Sequence, residues 1–155
     1  MDVLIRRASP DEASVLTEIA HSAKRHWGYP EKWIQHWQAD LTITPEFIAD
    51  NEVYVAIKDG EIAGCGALSF GEPMAELEHL WIRPEHMGSG IGRALVNHIR
   101  ARAESLHLPA LELSADPNAE GFYTRMGAQR IGDVRSEIEG QLRVLPRMMI
   151  KSSSP

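Results

Sequence analysis

A chain of 155 residues, 43% hydrophobic and 25% charged, is long enough for one compact core and short for two. Its 12 Gly and 9 Pro follow no repeat, and its single cysteine, Cys65, permits no internal disulfide, which excludes collagen-like, disulfide-scaffold and disordered classes. Twenty-two acidic against 16 basic residues give a net charge of -6, so nucleic acid and anionic membrane surfaces are poor partners and any anionic ligand needs a local site.

Val3–Arg7 starts a strand, and Ser9-Pro10-Asp11-Glu12 supplies an N-cap, a first-turn proline and a capping-box acid for a helix. Val15, Leu16, Ile19, Ala20 and Ala23 continue it at helical spacing until Trp27-Gly28-Tyr29-Pro30. A second helical piece is expected over Glu31–Ala39, and Thr44-Pro45 caps a short one near Glu46–Ala49. Val53–Ile57 and Ile62–Phe70 read as a hairpin joined by Lys58-Asp59-Gly60-Glu61. After a turn at Gly71-Glu72-Pro73, Ala75–Ile82 is a third strand, leading through Arg83-Pro84 and a glycine-rich turn to a helix from Ile91 to Leu106. Ala110–Ser114 is a further strand. Asp116-Pro117 then opens a short helix with Ala119, Phe122, Tyr123 and Met126 on one face, which Gly127 stops. Strands near Gln129–Val134 and Leu142–Ile150 complete a mixed α/β (α+β) chain, expected as a single domain over residues 1–151 with a flexible tail at 152–155.

Met87-Gly88-Ser89-Gly90-Ile91-Gly92-Arg93 lies between strand and helix, where free amides and the helix dipole favour anionic oxygen. A turn without a ligand is the competing reading. The letters fit neither a Walker loop, which ends in Gly-Lys-Ser/Thr, nor the dinucleotide fingerprint.

This turn resembles the pyrophosphate motif Arg/Gln-x-x-Gly-x-Gly/Ala of the GNAT superfamily of acyl-CoA-dependent N-acetyltransferases. The likeness extends to Leu80-Trp81-Ile82-Arg83-Pro84 before it, Arg93-Ala94-Leu95 after it, and Asn118-Ala119-Glu120-Gly121-Phe122-Tyr123 with Met126-Gly127-Ala128 downstream. Met87 departs from the family's usual Arg or Gln, so a side-chain contribution to the pyrophosphate is missing and main-chain amides remain. The resemblance implies a GNAT-like fold, a mixed and mostly antiparallel sheet of six to seven strands flanked by helices. It implies acetyl-CoA as cosubstrate, held by Leu80, Trp81 and Ile82 along the pantetheine, by Met87, Gly88, Ser89, Gly90, Ile91, Gly92 and Arg93 around the pyrophosphate, and by Asn118. An Asn after Asp116-Pro117 can equally assist a helix start.

Tyr123 matches the family's proton donor to the departing CoA sulfur, the alternative being a core tyrosine whose hydroxyl satisfies a backbone group. Acceptance of the amine's proton falls to Glu78 ahead of Glu76. Simple alternation puts both on one side with Leu80 and Ile82 unless a bulge intervenes, and His79 on the other, as a structural or surface residue. Solvated surface acids are the plainer reading of both. Cys65 reads as a small buried residue, and the seven histidines form no metal-binding spacing, so no metal is expected. Trp27, Trp33 and Trp37 cluster with Tyr29 and His36, either lining an acceptor pocket or packing two short helices.

The expected activity is acetyl transfer from acetyl-CoA to a primary amine, on a small molecule or a peptide, by direct attack in a ternary complex. The alternatives are a catalytically weak acyl-CoA-binding or regulatory module and, last, a small nucleotide-binding domain. A cytoplasmic location is the default for a chain with no signal-type start or membrane-length apolar run, and the resemblance admits a homodimer.

Overall fold

The strands β1 (Leu4–Arg7), β2 (Glu52–Lys58), β3 (Glu61–Ser69), β4 (Glu76–Ile82), β5 (Ala110–Ser114), β6 (Gln129–Ile138) and β7 (Gln141–Lys151) form one sheet ordered β1-β2-β3-β4-β5-β7-β6. This computed structural model describes residues 2–71 and 74–153, so Glu72 and Pro73 of the expected turn and the last two tail positions lie outside the described residues. Every neighbouring pair is antiparallel except β4 and β5, which run parallel. The mixed, mostly antiparallel sheet expected from the resemblance is present.

Alternation on β2 shows how the sheet acquires two covers. Val53 and Val55 pack with Ala13, Leu16 and Ile19 of α1 (Ala13–His26) and with Ile48 of α4 (Pro45–Asp50). Tyr54 and Ala56 pack on the other face with Leu95, Val96 and Ile99 of α5 (Ile91–Ser105) and with Tyr123 of α6 (Glu120–Arg125). Asp59 and Gly60, with φ of 52° and 79°, make the two-residue turn between β2 and β3. Thr44 caps α4 by accepting the Phe47 amide at 3.0 Å.

Three expectations change. The first helix opens with a 3-10 turn over Pro10–Glu12; Glu12 accepts the Ser9 amide at 2.8 Å, while the Ser9 hydroxyl goes to Asp11. The piece expected over Glu31–Ala39 splits into α2 (Glu31–His36) and α3 (Gln38–Leu41), because the chain turns at Trp37 to lay that indole on buried cations. β6 runs on to Ile138 through a polar stretch of weak strand propensity, since β7 supplies its partners as far as Gln141. Ser152 is buried, its amide donating to the Pro109 carbonyl at 3.0 Å.

Candidate active site

The register of β3 against β4 sets the site. Cys65 opposes Trp81 and Ala67 opposes Glu78, so β3 advances two residues where β4 spends three, and His79 takes a φ of 52°. That bulge re-aims the strand. Glu76, Glu78 and Trp81 share the α1 face with Cys65 and Ala67, whereas Leu77, Leu80 and Ile82 face α5. The expectation that both glutamates lie with Leu80 and Ile82 is therefore corrected, because one inserted residue inverts the alternation. His79 also departs from its expected place. Its ring sits edge-on to Phe47 on the α1 side and lines the central cavity. Cys65, fully buried with its thiol pushed up to about 12 by that burial, bonds the bulge carbonyl of His79 at 3.3 Å.

β4 and β5 pair only at Glu76 and Glu112 and then part. Arg83 donates its amide to Ala63 at 2.8 Å; counting back by twos, the amide of Trp81 faces β3, and the main-chain groups of Leu80 and Ile82 face the gap. A cavity of about 820 Å³ occupies this opening, lined by β4, the glycine turn, the start of α5, the end of β5 and α6. Unpaired strand groups beside a cavity suit an extended ligand with amides of its own.

At one end lies the glycine turn. Gly88 and Gly90 have φ of 77° and 87°, a left-handed conformation costly to other residues, and Gly90 caps α5. The amides of residues 88–93 donate to no protein acceptor among the described residues, which leaves a nest at a helix N-terminus. Gly92 serves packing as well: a Cβ there would meet the Phe122 ring at 3.3 Å, so its absence lets α5 close on α6. Met87, Ile91 and Arg93 line the cavity, whereas the Ser89 hydroxyl bonds the His86 carbonyl. Arg125, absent from the sequence-based candidates, joins Arg93 on the wall without an ion pair among the described residues. Its position three and four residues after Phe122 and Gly121, on the same helical face, was the available signal.

Tyr123, 7% exposed, lines the same cavity, and its hydroxyl makes no hydrogen bond among the described residues. No sealed side-chain polar atom among those residues lacks a partner, so this hydroxyl opens into the cavity. Burial, and then the charge of Asp116, push its pKa up, which keeps the phenol protonated at neutral pH.

Asp116 is the hub that sequence reasoning took for a cap alone. It accepts the Asn118 amide at 2.9 Å, as that reading requires, and also Lys24 Nζ at 2.6 Å and the Tyr29 hydroxyl at 3.0 Å. Arg143 of β7 donates to Tyr29 at 2.8 Å, and Asn118 Nδ2 donates to Tyr29 and Asp116. Burial by itself would raise the Asp116 carboxyl, but the Lys24 ammonium and these donors hold it below its ordinary value. Lys24 and Arg143 lie over the rings of Tyr29 and Trp37, and Trp33 stacks on Tyr29. The tryptophan cluster thus resolves into its packing reading for Trp33 and Trp37. Trp27 alone of the three lines the cavity.

The two candidate bases differ sharply. Glu76 is tied to Arg147, which also holds Glu112 and the Ser114 hydroxyl. Glu78 lines the cavity with no ion pair or hydrogen bond among the described residues. Beside it, the His79 imidazole is held below its ordinary pKa by burial, against the opposing charges of Glu78 and Asp40. Trp81 Nε1 donates to its Nδ1 at 3.1 Å, which assigns the remaining proton of the neutral ring to Nε2.

Residues 15–128 match the Acetyltransferase (GNAT) family. The chain belongs to that family. A relative from Pseudomonas phage PaMx11, 5-NmdU N-acetyltransferase, is 23% identical over 134 residues, 84% of this chain and 90% of the relative. Among solved structures, the GCN5-related N-acetyltransferase from Rhodopseudomonas palustris aligns over 97% of this chain and 96% of its own, with a TM-score of 0.79 and 19% identity. PaiA N-acetyltransferase from Thermoplasma acidophilum, solved in complex with coenzyme A, aligns over 97% and 99% with a TM-score of 0.74 and 21% identity. This GNAT chain is thus an acyltransferase by family, and its fold is that of both structures. Among its described residues no group of three His, Cys, Asp or Glu can hold a metal ion, and no helix is long and apolar enough to cross a membrane.

Proposed function

We propose that this GNAT chain transfers the acetyl group of acetyl-CoA to a primary amine by direct attack within a ternary complex. The observation that carries the reading is one cavity into which three features without a partner among the described residues open: the main chain of Leu80 and Ile82, the amides of residues 88–93, and the hydroxyl of Tyr123. The coenzyme A in the Thermoplasma neighbour supports the same ligand class here.

The residues fit the group chemically. The amides of the glycine turn would receive the pyrophosphate, with Arg93 and Arg125 as nearby cations that offset the absence of a cationic side chain at Met87. Leu80 and Ile82 would pair with the pantetheine amides, and Asn118 would border the arm where α6 begins. Bound acetyl-CoA supplies the thioester, and free amides of β4 facing its carbonyl oxygen stabilise the negative charge that grows there. The amine nitrogen bonds to the carbonyl carbon, the carbon–sulfur bond breaks, and Tyr123 gives its proton to the leaving sulfur. Glu78, which lines the cavity without an ion pair or hydrogen bond among the described residues, takes the proton that the nitrogen sheds, directly or through a water. Solvent then restores both groups, so the net products are an N-acetyl amine and free CoA.

Calorimetry with CoA and a thiol-release assay over an amine panel test this together. Wild type binds CoA and releases thiol only when an amine is present. Gly90→Arg, which places a side chain in the nest from a left-handed position, binds CoA at least about tenfold more weakly. CoA binding without amine-dependent release supports a regulatory module, and unimpaired CoA binding by a folded Gly90→Arg protein removes the cradle.

A further inference from the structure

The charges on the cavity wall are unevenly compensated. Four carboxylates line it: Asp40, Glu76, Glu78 and Asp116. Asp116 is neutralised by Lys24 at 2.6 Å with Arg143 behind it at 3.7 Å, and Glu76 by Arg147. Asp40 in α3, an exposed side chain, and Glu78 on β4, a half-buried one, have no ion pair or hydrogen bond among the described residues, and both line the cavity together with His79. That ring does not compensate them, because it is half-buried and neutral, with Nδ1 occupied by the Trp81 indole. The cations near this end are also committed. Arg147 is shared between Glu76 and Glu112, while Lys24 and Arg143 stand outside the cavity lining, against Tyr29 and Trp37. The cations that do face the cavity without an ion pair among the described residues, Arg93 and Arg125, are on the helices beside the glycine turn.

Among the described residues the cavity is thus bipolar, with two unpaired positive charges by the phosphate nest and two unpaired negative charges on the walls formed by α3 and β4. A second observation marks the cavity as built for an occupant: the Tyr123 hydroxyl, on a side chain 7% exposed, opens into it without a partner among the described residues. Trp27, 40% exposed, adds an apolar face to the wall.

We infer that the acceptor is a dicationic amine, a primary amine carried on a short aliphatic chain with a second positive centre and no carboxylate or phosphate. Glu78 faces the reacting nitrogen, Asp40 holds the centre that stays charged, and the Trp27 ring covers the methylenes between them. Away from the glycine turn, an acidic acceptor would meet these two carboxylates and, among the described residues, no unpaired cation on the cavity lining. This inference rests on the acetyl-transfer reading above, since it names that reaction's acceptor.

The test compares 1,4-diaminobutane, n-butylamine and 4-aminobutanoate in the thiol-release assay at saturating acetyl-CoA, with three- and five-carbon diamines alongside. The best diamine has a kcat/KM at least about tenfold above n-butylamine, 4-aminobutanoate is the poorest, and added salt narrows the difference. Asp40→Asn, shown to be folded by its retained CoA affinity, brings the ratio of diamine to n-butylamine down toward one. Equal rates for diamine and monoamine, a preference for 4-aminobutanoate, or an unchanged ratio in Asp40→Asn overturns the inference while leaving acetyl transfer intact. If no amine is turned over, the transfer reading fails, and calorimetry of the same three compounds on the CoA-loaded protein decides the acceptor class by itself: tighter binding of the diamine upholds it, and equal binding overturns it.

Discussion

Replacing Tyr123 with Phe isolates one hydroxyl from everything else the residue does. The ring packs edge-on to Phe122 with centroids 5.1 Å apart and belongs to the core beneath α5, and Phe keeps that packing. The lost hydroxyl has no partner among the described residues, so no donor or acceptor there is orphaned and stability should move by no more than about 0.5 kcal/mol. Affinity for CoA should stay within about threefold, because the nest and the β4 main chain are untouched. Turnover is the exception. Loss of a positioned general acid typically costs two to four powers of ten, so a fall of about 100-fold, equivalent to about 2.7 kcal/mol of transition-state stabilisation, is the conservative expectation. Burial and Asp116 raise the Tyr123 pKa above its ordinary value of about 10, so the phenol stays protonated and contributes no alkaline limb below about pH 10. Pre-steady-state measurement of acetyl transfer, with CoA affinity and thermal melting on the same preparation, separates the three quantities. A folded Tyr123→Phe protein that turns over within threefold of wild type refutes the acid role and returns Tyr123 to the core.

Glu78→Gln should lower kcat by about 100-fold with little change in melting temperature, whereas Glu76→Gln should leave kcat within about threefold and cost stability through Arg147, as parallel rate and melting measurements will show. The opposite ranking would identify Glu76 as the base. Lys24→Met should destabilise the fold by about 3 kcal/mol, or roughly 8 °C in Tm, because it leaves a buried carboxylate with Arg143 at 3.7 Å and neutral donors only. Its pH dependence has a definite sign. Asp116 titrates below its ordinary value when folded, so its contribution is complete above about pH 4 and is lost as pH falls through the folded value. Denaturant midpoints of wild type should therefore drop into acid more steeply than those of Lys24→Met.

Much of the scaffold was legible because its signals are local. Asp59-Gly60 makes its hairpin turn, Thr44 caps its helix, and Ala110–Ser114 is a strand with the expected ends. The glycine turn was legible for the same reason, since positive φ at Gly88 and Gly90 and free amides at a helix start are properties of a few consecutive residues. Family resemblance then tied that turn to Tyr123, 30 or so positions downstream, which no periodicity could do.

Pairing between distant segments decided the rest. One extra residue at His79, visible only against β3, moves Glu78 to the face opposite Leu80 and Ile82 and brings His79 to the cavity. Asp116 has the look of a cap in one dimension; its burial under Lys24, Tyr29 and Arg143 requires α1, the loop after it and β7 to converge on one carboxylate. Separating Asp40 and Glu78 from the compensated acids depends on knowing which cations are already spoken for, and that is a property of the fold. The chain's net charge of -6 disfavours polyanionic partners in general terms and leaves a local anion site open. Only folding distributes that charge, setting Arg93 and Arg125 beside an amide nest and Asp40 and Glu78 on the α3 and β4 walls of the same cavity, because electrostatic compensation depends on distance in space and not on separation along the chain.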